Sequence, residues 1–248
     1  MDEKRKIEKV YGFPEILTEK KAHFCPGCSH GIMTKVISEA IGEMGLEDSS
    51  IGVYGAGCAA IMYDYINIKG VAAPPGGAVG IATGIKSAGK GSLVFAYQGE
   101  GDLFYGLSSL IGAGVRGEGI TIICENNLNM GISGGAMSPA TPVGVMTTTS
   151  PQGRHIASHG APVSIAEILK DIKGIKYIAR CSTHSPGAVR KTKSIIKKAF
   201  ELQLYGEGTA FIEVLGMCPT NMHLTPVEAA LKIREVYGEL QTGEIKHP

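Results

Sequence analysis

Two apolar runs, each followed at once by polar residues, constrain the fold of this chain more than any other feature. Residues 92–98 and 119–124 read as strands that are buried on both faces of a parallel sheet. The first run ends at Gly99, Glu100, Gly101 and Asp102, and Asn127 follows shortly after the second. A helix is predicted between them, over 103–115, as parallel neighbours require a crossover connection.

The pattern along the chain predicts a single α/β domain with a mainly parallel sheet and helices on both faces. We expect residues 1–20 to form an arm across the body or a neighbour, and residues 21–248 to form the domain. Ser164 with Glu167, and Thr225 with Glu228, have capping-box spacing. Further strands are predicted over 51–55, 175–180 and 209–215, and further helices over 32–44, 78–90, 163–172, 190–204 and from 225 onward.

Composition argues against several functional classes. The 248 residues carry a net charge of +1, so nothing points to nucleic acid or an anionic membrane. The longest uncharged runs, 70–85 and 126–153, are broken by Gly, Pro, Ser and Thr, so neither is predicted to span a membrane. The charged N-terminus lacks the apolar stretch of a signal peptide. We therefore expect a cytoplasmic protein whose six cysteines form no disulfides.

The polar ends of the two apolar strands suit a magnesium ion and a diphosphate. Ligands of open α/β sheets bind beyond the carboxyl ends of the strands, and a helix N-terminus at Glu100 would favour phosphate. Glu100 and the Asn127 side chain offer oxygen ligands, and a backbone carbonyl near Asn129 offers a third. The segment 128–162 follows without periodicity, and we interpret it as a cofactor lid. The alternative is that the first motif only caps a helix and the second only forms a turn.

Four of the six cysteines could together form one metal site. Two of these form a local chelating pair, a third lies between glycine-rich turns, and a fourth follows a predicted strand. Cys124 and Cys181 lie in or at the end of strands and are predicted to be core residues. Four thiolates hold either an iron–sulfur cluster or structural zinc, and their spacing leaves both open, as well as free thiols. The four candidates are Cys25, Cys28, Cys58 and Cys218.

Motifs along nearly the whole chain resemble the thiamine diphosphate-binding β subunit of 2-oxoacid:ferredoxin oxidoreductases, in particular the 2-oxoisovalerate (branched-chain) type. Their order matches that family. They are FCPGCSHG at 24–31, ATGIK at 82–86, YQGEGD at 97–102, GGAMSP at 134–139, TTTSP at 147–151, CPTN at 218–221 and TPVEA at 225–229.

The resemblance implies thiamine diphosphate, Mg2+ on Glu100, Asn127 and Asn129, and a 4Fe–4S cluster on the four candidate cysteines. For His30 the resemblance implies contact with the cofactor diphosphate or the substrate, and the alternative is a helix-start residue bonded to the backbone. The implied cofactor contacts are His30, Gly57, Gly99, Glu100, Gly101, Asp102, Asn127, Asn129, Gly131 and Ile132.

The implied activity is oxidative decarboxylation of a 2-oxoacid, with a branched chain, to acyl-CoA and CO2. Electrons would pass through the cluster to ferredoxin. The implied partners are an α subunit with the pyrimidine-binding domain and its activating glutamate, a γ subunit and a ferredoxin-like δ subunit. The chain is too short to contain that domain as well, so we expect the isolated chain to be inactive. Two alternatives remain: a non-redox thiamine diphosphate-dependent decarboxylase or lyase component, and a non-catalytic paralogue subunit.

The chain departs from the family pattern near this site. Glu100 stands where the family has Asp, Met130 where it has Tyr, and Ala136 where it has Gln. Residues 75–78 replace a His-Gly-Arg-Ala sequence, so two polar groups near the substrate side are lost. The basic helix that includes Arg190 could steer ferredoxin or coenzyme A, although a solvated face is the simpler interpretation.

Overall fold

A seven-stranded sheet with helices packed on both faces forms the domain, as predicted. The computed structural model describes residues 12–236, 238, 240 and 242–247. Its strands are β1 (Ser50–Tyr54), β2 (Lys69–Ala72), β3 (Leu93–Gly99), β4 (Thr121–Asn126), β7 (Ile175–Ser182), β8 (Thr209–Leu215) and β9 (Gly243–Lys246). A separate hairpin joins β5 (Asn129–Met130) to β6 (Ala136–Met137). The strand order in the sheet is β2-β1-β3-β4-β8-β7-β9, and the sheet is parallel except for β9.

Apolar helix faces cover the sheet on each side. Helices α1 and α7 pack against one face, and α2, α4 and α6 against the other. Lys193 and Lys197 of α7 bind Glu43 of α1 at 2.6 and 3.0 Å, so these two charges of the basic helix serve helix packing. The helices are α1 (Ser29–Glu43), α2 (Ala78–Ser87), α3 (Glu100–Tyr105), α4 (Leu107–Arg116), α5 (Ile156–His159), α6 (Ile165–Leu169), α7 (Pro186–Leu204), α8 (Pro219–Met222) and α9 (Pro226–Val236).

The helix predicted over 103–115 is interrupted at Gly106. The backbone of Gly76 approaches so closely that a Cβ at Gly106 would overlap the Gly76 carbonyl oxygen. Gly76 itself has φ +71°, which favours glycine, and its N–H donates to Asp102 Oδ1 at 2.8 Å. A continuous helix would not leave room for this loop, which borders the carboxyl end of the sheet.

One of the two predicted capping boxes is wrong. Ser164 Oγ makes no cap for α6 and instead accepts a hydrogen bond from Arg180 at 2.9 Å. The box at α9 is confirmed, since Thr225 N–H donates to Glu228 Oε2 at 2.9 Å and Glu228 N–H donates to Thr225 Oγ1 at 3.3 Å.

The predicted arm is described only from residue 12 onward, and residues 1–11 lie outside the described ranges. Its described part lies on the body, because Leu17 bridges Ile66 and Thr18 N–H donates to the Tyr65 carbonyl at 2.8 Å. Among the described helices, none is both long and apolar enough to cross a membrane.

Candidate cofactor site

A cleft of about 430 Å3 opens at the carboxyl ends of β1, β3 and β4. Its walls come from the segments that follow these strands, so the sheet itself sets their mutual positions. All ten residues for which the resemblance implies cofactor contact line it, although cofactor contact itself stays a prediction. They are His30, Gly57, Gly99, Glu100, Gly101, Asp102, Asn127, Asn129, Gly131 and Ile132.

Four buried oxygen atoms of this cleft have no hydrogen-bond partner among the described residues. They are Glu100 Oε1, Asp102 Oδ2, Asn127 Oδ1 and Asn129 Oδ1. A buried acceptor without a donor costs about 1–3 kcal/mol, so four in one cleft call for a missing partner. Carboxylate and amide oxygens suit Mg2+, which also keeps positions for phosphate oxygens. The Asn129 side chain is thus available in addition to the backbone carbonyl that the sequence suggested.

Glu100 is placed where its charge depends on a bound cation. Burial raises the pKa of Glu100 to about 7, while hydrogen bonds from the Ser138 hydroxyl and the Asn127 N–H act in the opposite direction. A metal ion would favour the ionised form and lower that pKa. The residues present therefore fit a magnesium ion, with the longer glutamate in place of aspartate.

The four candidate cysteines lie at one side of the cleft. A Cβ at Gly131 would lie 3.5 Å from Cys58 Sγ and 3.6 Å from Cys218 Sγ, so both thiols face the lid. Burial raises the pKa of Cys28 to about 12 and that of Cys58 to about 11, and nearby thiols contribute in both cases. Asn221 Nδ2 lies 3.4 Å from Cys218 Sγ as a donor.

Across the described part of the chain, no group of three or more His, Cys, Asp or Glu side chains is arranged to hold a metal ion. Structural zinc and a 4Fe–4S cluster both use four thiolates. Cys124 and Cys181 are buried in the core, as predicted.

A buried carboxyl group that the sequence analysis did not identify lies behind the cleft. Glu125 Oε1 lies 2.5 Å from Ser29 Oγ, and Oε2 lies 3.1 Å from His30 Nε2. His30 Nδ1 lies 2.6 Å from the Tyr97 hydroxyl, so its ring is bonded to side chains and not to the backbone. Burial raises the pKa of Glu125 to about 8 and lowers that of His30 to about 4. Burial thus disfavours the charged form of each group. The sequence feature that could have identified Glu125 is a carboxylate near the end of the otherwise apolar strand β4.

The segment 128–162 is ordered around one buried arginine. The Arg154 guanidinium is 4% exposed and donates to six backbone carbonyls. Ser138, which bonds Glu100, contributes one of these carbonyls at 3.2 Å. The segment therefore borders the cleft as a folded unit despite its lack of periodicity. Met130, in place of the family's tyrosine, packs on Gly101, where a Cβ would lie 2.5 Å from Met130 Cγ.

Comparisons with known proteins agree with this geometry. Residues 55–214 match the family of thiamine pyrophosphate enzymes, C-terminal TPP binding domain. The chain is 38% identical over 226 residues to the ketoisovalerate oxidoreductase subunit VorA of Methanothermobacter marburgensis, covering 88% of this chain and 47% of that one. It therefore spans less than half the length of that relative.

This chain covers a larger share of the length of two further relatives. The 2-oxoglutarate synthase subunit KorB of Methanocaldococcus jannaschii is 34% identical over 205 residues, which are 79% of this chain and 69% of KorB. The solved 2-oxoglutarate:ferredoxin oxidoreductase from Magnetococcus marinus has the same fold, with a TM-score of 0.74 at 23% identity, over 87% of this chain and 70% of that one. The chain thus belongs to the thiamine pyrophosphate-binding domain family, among the 2-oxoacid oxidoreductase subunits that include VorA and KorB.

Proposed function

We propose that this chain is the catalytic subunit of a 2-oxoacid:ferredoxin oxidoreductase, which converts a 2-oxoacid to acyl-CoA and CO2. The observation that carries the proposal is the convergence of three unpartnered oxygens, on Glu100, Asn127 and Asn129, in one cleft. Thiamine diphosphate, when bound, supplies the carbanion-stabilising chemistry of decarboxylation. The three side chains would hold Mg2+, and the N-terminus of α3 would bind the diphosphate. The lid and the buried Glu125–His30 pair would exclude water from the part of the cleft that they border.

A 4Fe–4S cluster on Cys25, Cys28, Cys58 and Cys218 is the second part of the proposal. Cys58 lines the cleft, and its thiol pKa is raised mainly by burial and further by the nearby thiols of Cys218 and Cys25. A cluster beside the cofactor would accept its electrons and pass them to ferredoxin. A non-redox decarboxylase or lyase has no need of four cysteines in this position. Such a cluster also suits the reducing cytoplasm, where we place the protein.

The substrate we propose is a 2-oxoacid with an uncharged, branched side chain. Several apolar residues form the cleft wall, and none of the described residues that line it is Lys or Arg. A second carboxylate, as in 2-oxoglutarate, would therefore find no cation there. The apolar lining residues are Ala56, Ala59, Pro75, Met130 and Ile132.

We propose that an α subunit with a pyrimidine-binding domain completes the site. Tyr105 and Ile132 line the cleft yet are 70% and 65% exposed, and Met146 on the lid is 72% exposed. Exposed apolar residues grouped at a cleft mark an interaction surface. VorA carries more than half of its length outside the matched region, which leaves room for such a domain. A γ subunit, a ferredoxin-like δ subunit, ferredoxin and coenzyme A complete the proposed set of partners.

Cofactor analysis of the chain purified without oxygen tests the proposal. We expect stoichiometric thiamine diphosphate and Mg2+, and a brown protein whose broad absorbance is bleached by dithionite. Cys218→Ser should lose this absorbance, whereas Cys124→Ala, the matched change at a buried core cysteine, should keep it. A colourless, iron-free protein would refute the cluster, and absent thiamine diphosphate would favour a non-catalytic paralogue.

A viologen-reduction assay of the complex isolated with its native partners tests the activity. We expect 2-oxoisovalerate to be oxidised faster than 2-oxoglutarate in the presence of coenzyme A. The isolated chain should show no turnover. Turnover by the chain alone would contradict the proposed shared site, and a preference for 2-oxoglutarate would contradict the substrate.

A further inference from the structure

A buried ion pair lies beneath the lid and is not used by the proposed chemistry. Arg180 Nε on β7 donates to Glu213 Oε2 on β8 at 2.8 Å. Arg180 is 2% exposed and Glu213 is 4% exposed. A buried ion pair contributes little net stability, so we ask which segments this pair positions.

The same ion pair is hydrogen-bonded to residues that flank the lid on both sides. Just before the lid, Asn126 Nδ2 donates to Glu213 Oε1 at 2.8 Å. Just after it, Ser164 Oγ accepts from the Arg180 guanidinium at 2.9 Å. Both oxygens of the Glu213 carboxylate are therefore engaged, one by each partner. The segments before and after the lid are therefore both hydrogen-bonded to the same ion pair.

From Asn126 the connection continues to the proposed magnesium ligands. Asn126 Oδ1 accepts from Leu128 N–H at 3.3 Å, which closes a tight turn around Asn127. Leu128 has φ +72°, a left-handed conformation that is unfavourable for a non-glycine residue. The turn directs Asn127 and Asn129 into the cleft, and Asn129 Nδ2 donates to the Asn127 carbonyl at 3.0 Å.

We infer that the Arg180–Glu213 pair is a positioning device that fixes the segments on both sides of the lid and, through Asn126, sets the geometry of the magnesium ligands. This inference rests on the proposed function, because it assumes that the cleft holds Mg2+ and thiamine diphosphate. Glu213 touches neither group in this scheme and acts only through Asn126. Groups that orient metal ligands typically change metal affinity 10–100-fold when they are replaced.

The test is a Mg2+ titration of thiamine diphosphate binding, by calorimetry, to the complex isolated with its native partners. In Glu213→Gln, we expect the Mg2+ concentration for half-maximal binding to rise about tenfold or more. Asn126→Ala leaves the ion pair in place and should give a similar rise, which keeps the test valid if Glu213→Gln does not fold. Because both changes break one connection, the double variant should not add the two effects.

Thr121→Val is the matched control. It removes a buried 2.8 Å hydrogen bond to Gln203 from the same strand, β4, at a site away from the lid. It should lower stability to urea and leave the Mg2+ requirement unchanged. If the unaltered complex binds no thiamine diphosphate, the proposed function fails. If it binds while Glu213→Gln and Asn126→Ala keep its Mg2+ requirement, or if their effects add, the positioning role is refuted.

Discussion

Replacing Arg154 with leucine should open the lid while the rest of the domain stays folded. The guanidinium donates to the carbonyls of residues 138, 139, 141, 159, 160 and 161 at 2.8–3.4 Å. Leucine fills part of the volume but donates nothing, so six buried or partly buried carbonyl acceptors lose this donor. No other single side chain among the described residues of the lid makes so many of its hydrogen bonds.

The size of the effect follows from these bonds. At about 1 kcal/mol of net stability for each hydrogen bond, the six contribute on the order of 5 kcal/mol. This loss is comparable to the total stability of many domains. We therefore expect the variant to unfold locally at the lid while the rest of the domain stays folded. We expect at least about 3 kcal/mol of lost protection, which is roughly a 100-fold faster amide exchange.

Hydrogen exchange measured by mass spectrometry checks this prediction. The amides of Gly144 and Val163, which donate to Arg154 O at 2.9 Å and to Pro139 O at 3.0 Å, should exchange faster, while β3 and β4 stay protected. Arg116→Leu is the matched control, because Arg116 is an exposed arginine with a single ion pair to Glu118. Unchanged exchange in the lid of Arg154→Leu, or equal loss across the sheet, would refute the reasoning.

Three further predictions concern stability. Burial raises the pKa of Glu125 to about 8, so the contribution of this group to the stability of the metal-free chain should fall by up to about 5 kcal/mol as pH rises from about 4.5 to 8. Glu125→Gln, which stays neutral, should flatten that decline in urea unfolding at pH 5 and 8.5, and a parallel decline would contradict the assignment. Gly101→Ala should displace Met130 and cost about 1–3 kcal/mol by thermal unfolding, and the double variant with Met130→Ala should recover most of it. Thr225→Ala should lower the free energy of unfolding by about 1 kcal/mol, because it removes the cap of α9. Ser164→Ala should not lower it through the loss of a cap, because Ser164 makes no cap at α6.

The sequence was sufficient to predict the elements that form the cleft. Apolar runs at 92–98 and 119–124 mark buried strands because a parallel sheet buries both faces of its strands. Once both strands are parallel neighbours, Glu100 and Asn127 must lie at the same edge. The structure pairs Gly99 with Glu125 and so places these motifs side by side. The positions of the proposed magnesium ligands thus follow from local pattern plus sheet geometry.

Contacts between distant segments could not be predicted in this way. Glu125 meets Ser29 across 96 positions, and no periodicity relates the two. Ser164 has the local spacing of a cap, yet a guanidinium from another strand competes for its hydroxyl. Gly106 breaks a helix only because the Gly76 loop needs the space. In each case a tertiary contact overrides a local preference.

The strand order has a consequence for how the chain folds during synthesis. Strand β4 pairs with β8, and Thr121 lies opposite Ala210. The pairing at the centre of the sheet therefore cannot form until β8, which is synthesised much later than β4, is available. Pairings this distant in sequence form slowly, since loop closure must precede any gain from contact. The lid is synthesised before β7 and β8, the strands that carry Arg180 and Glu213. We expect the lid to be among the last parts of the domain to become ordered.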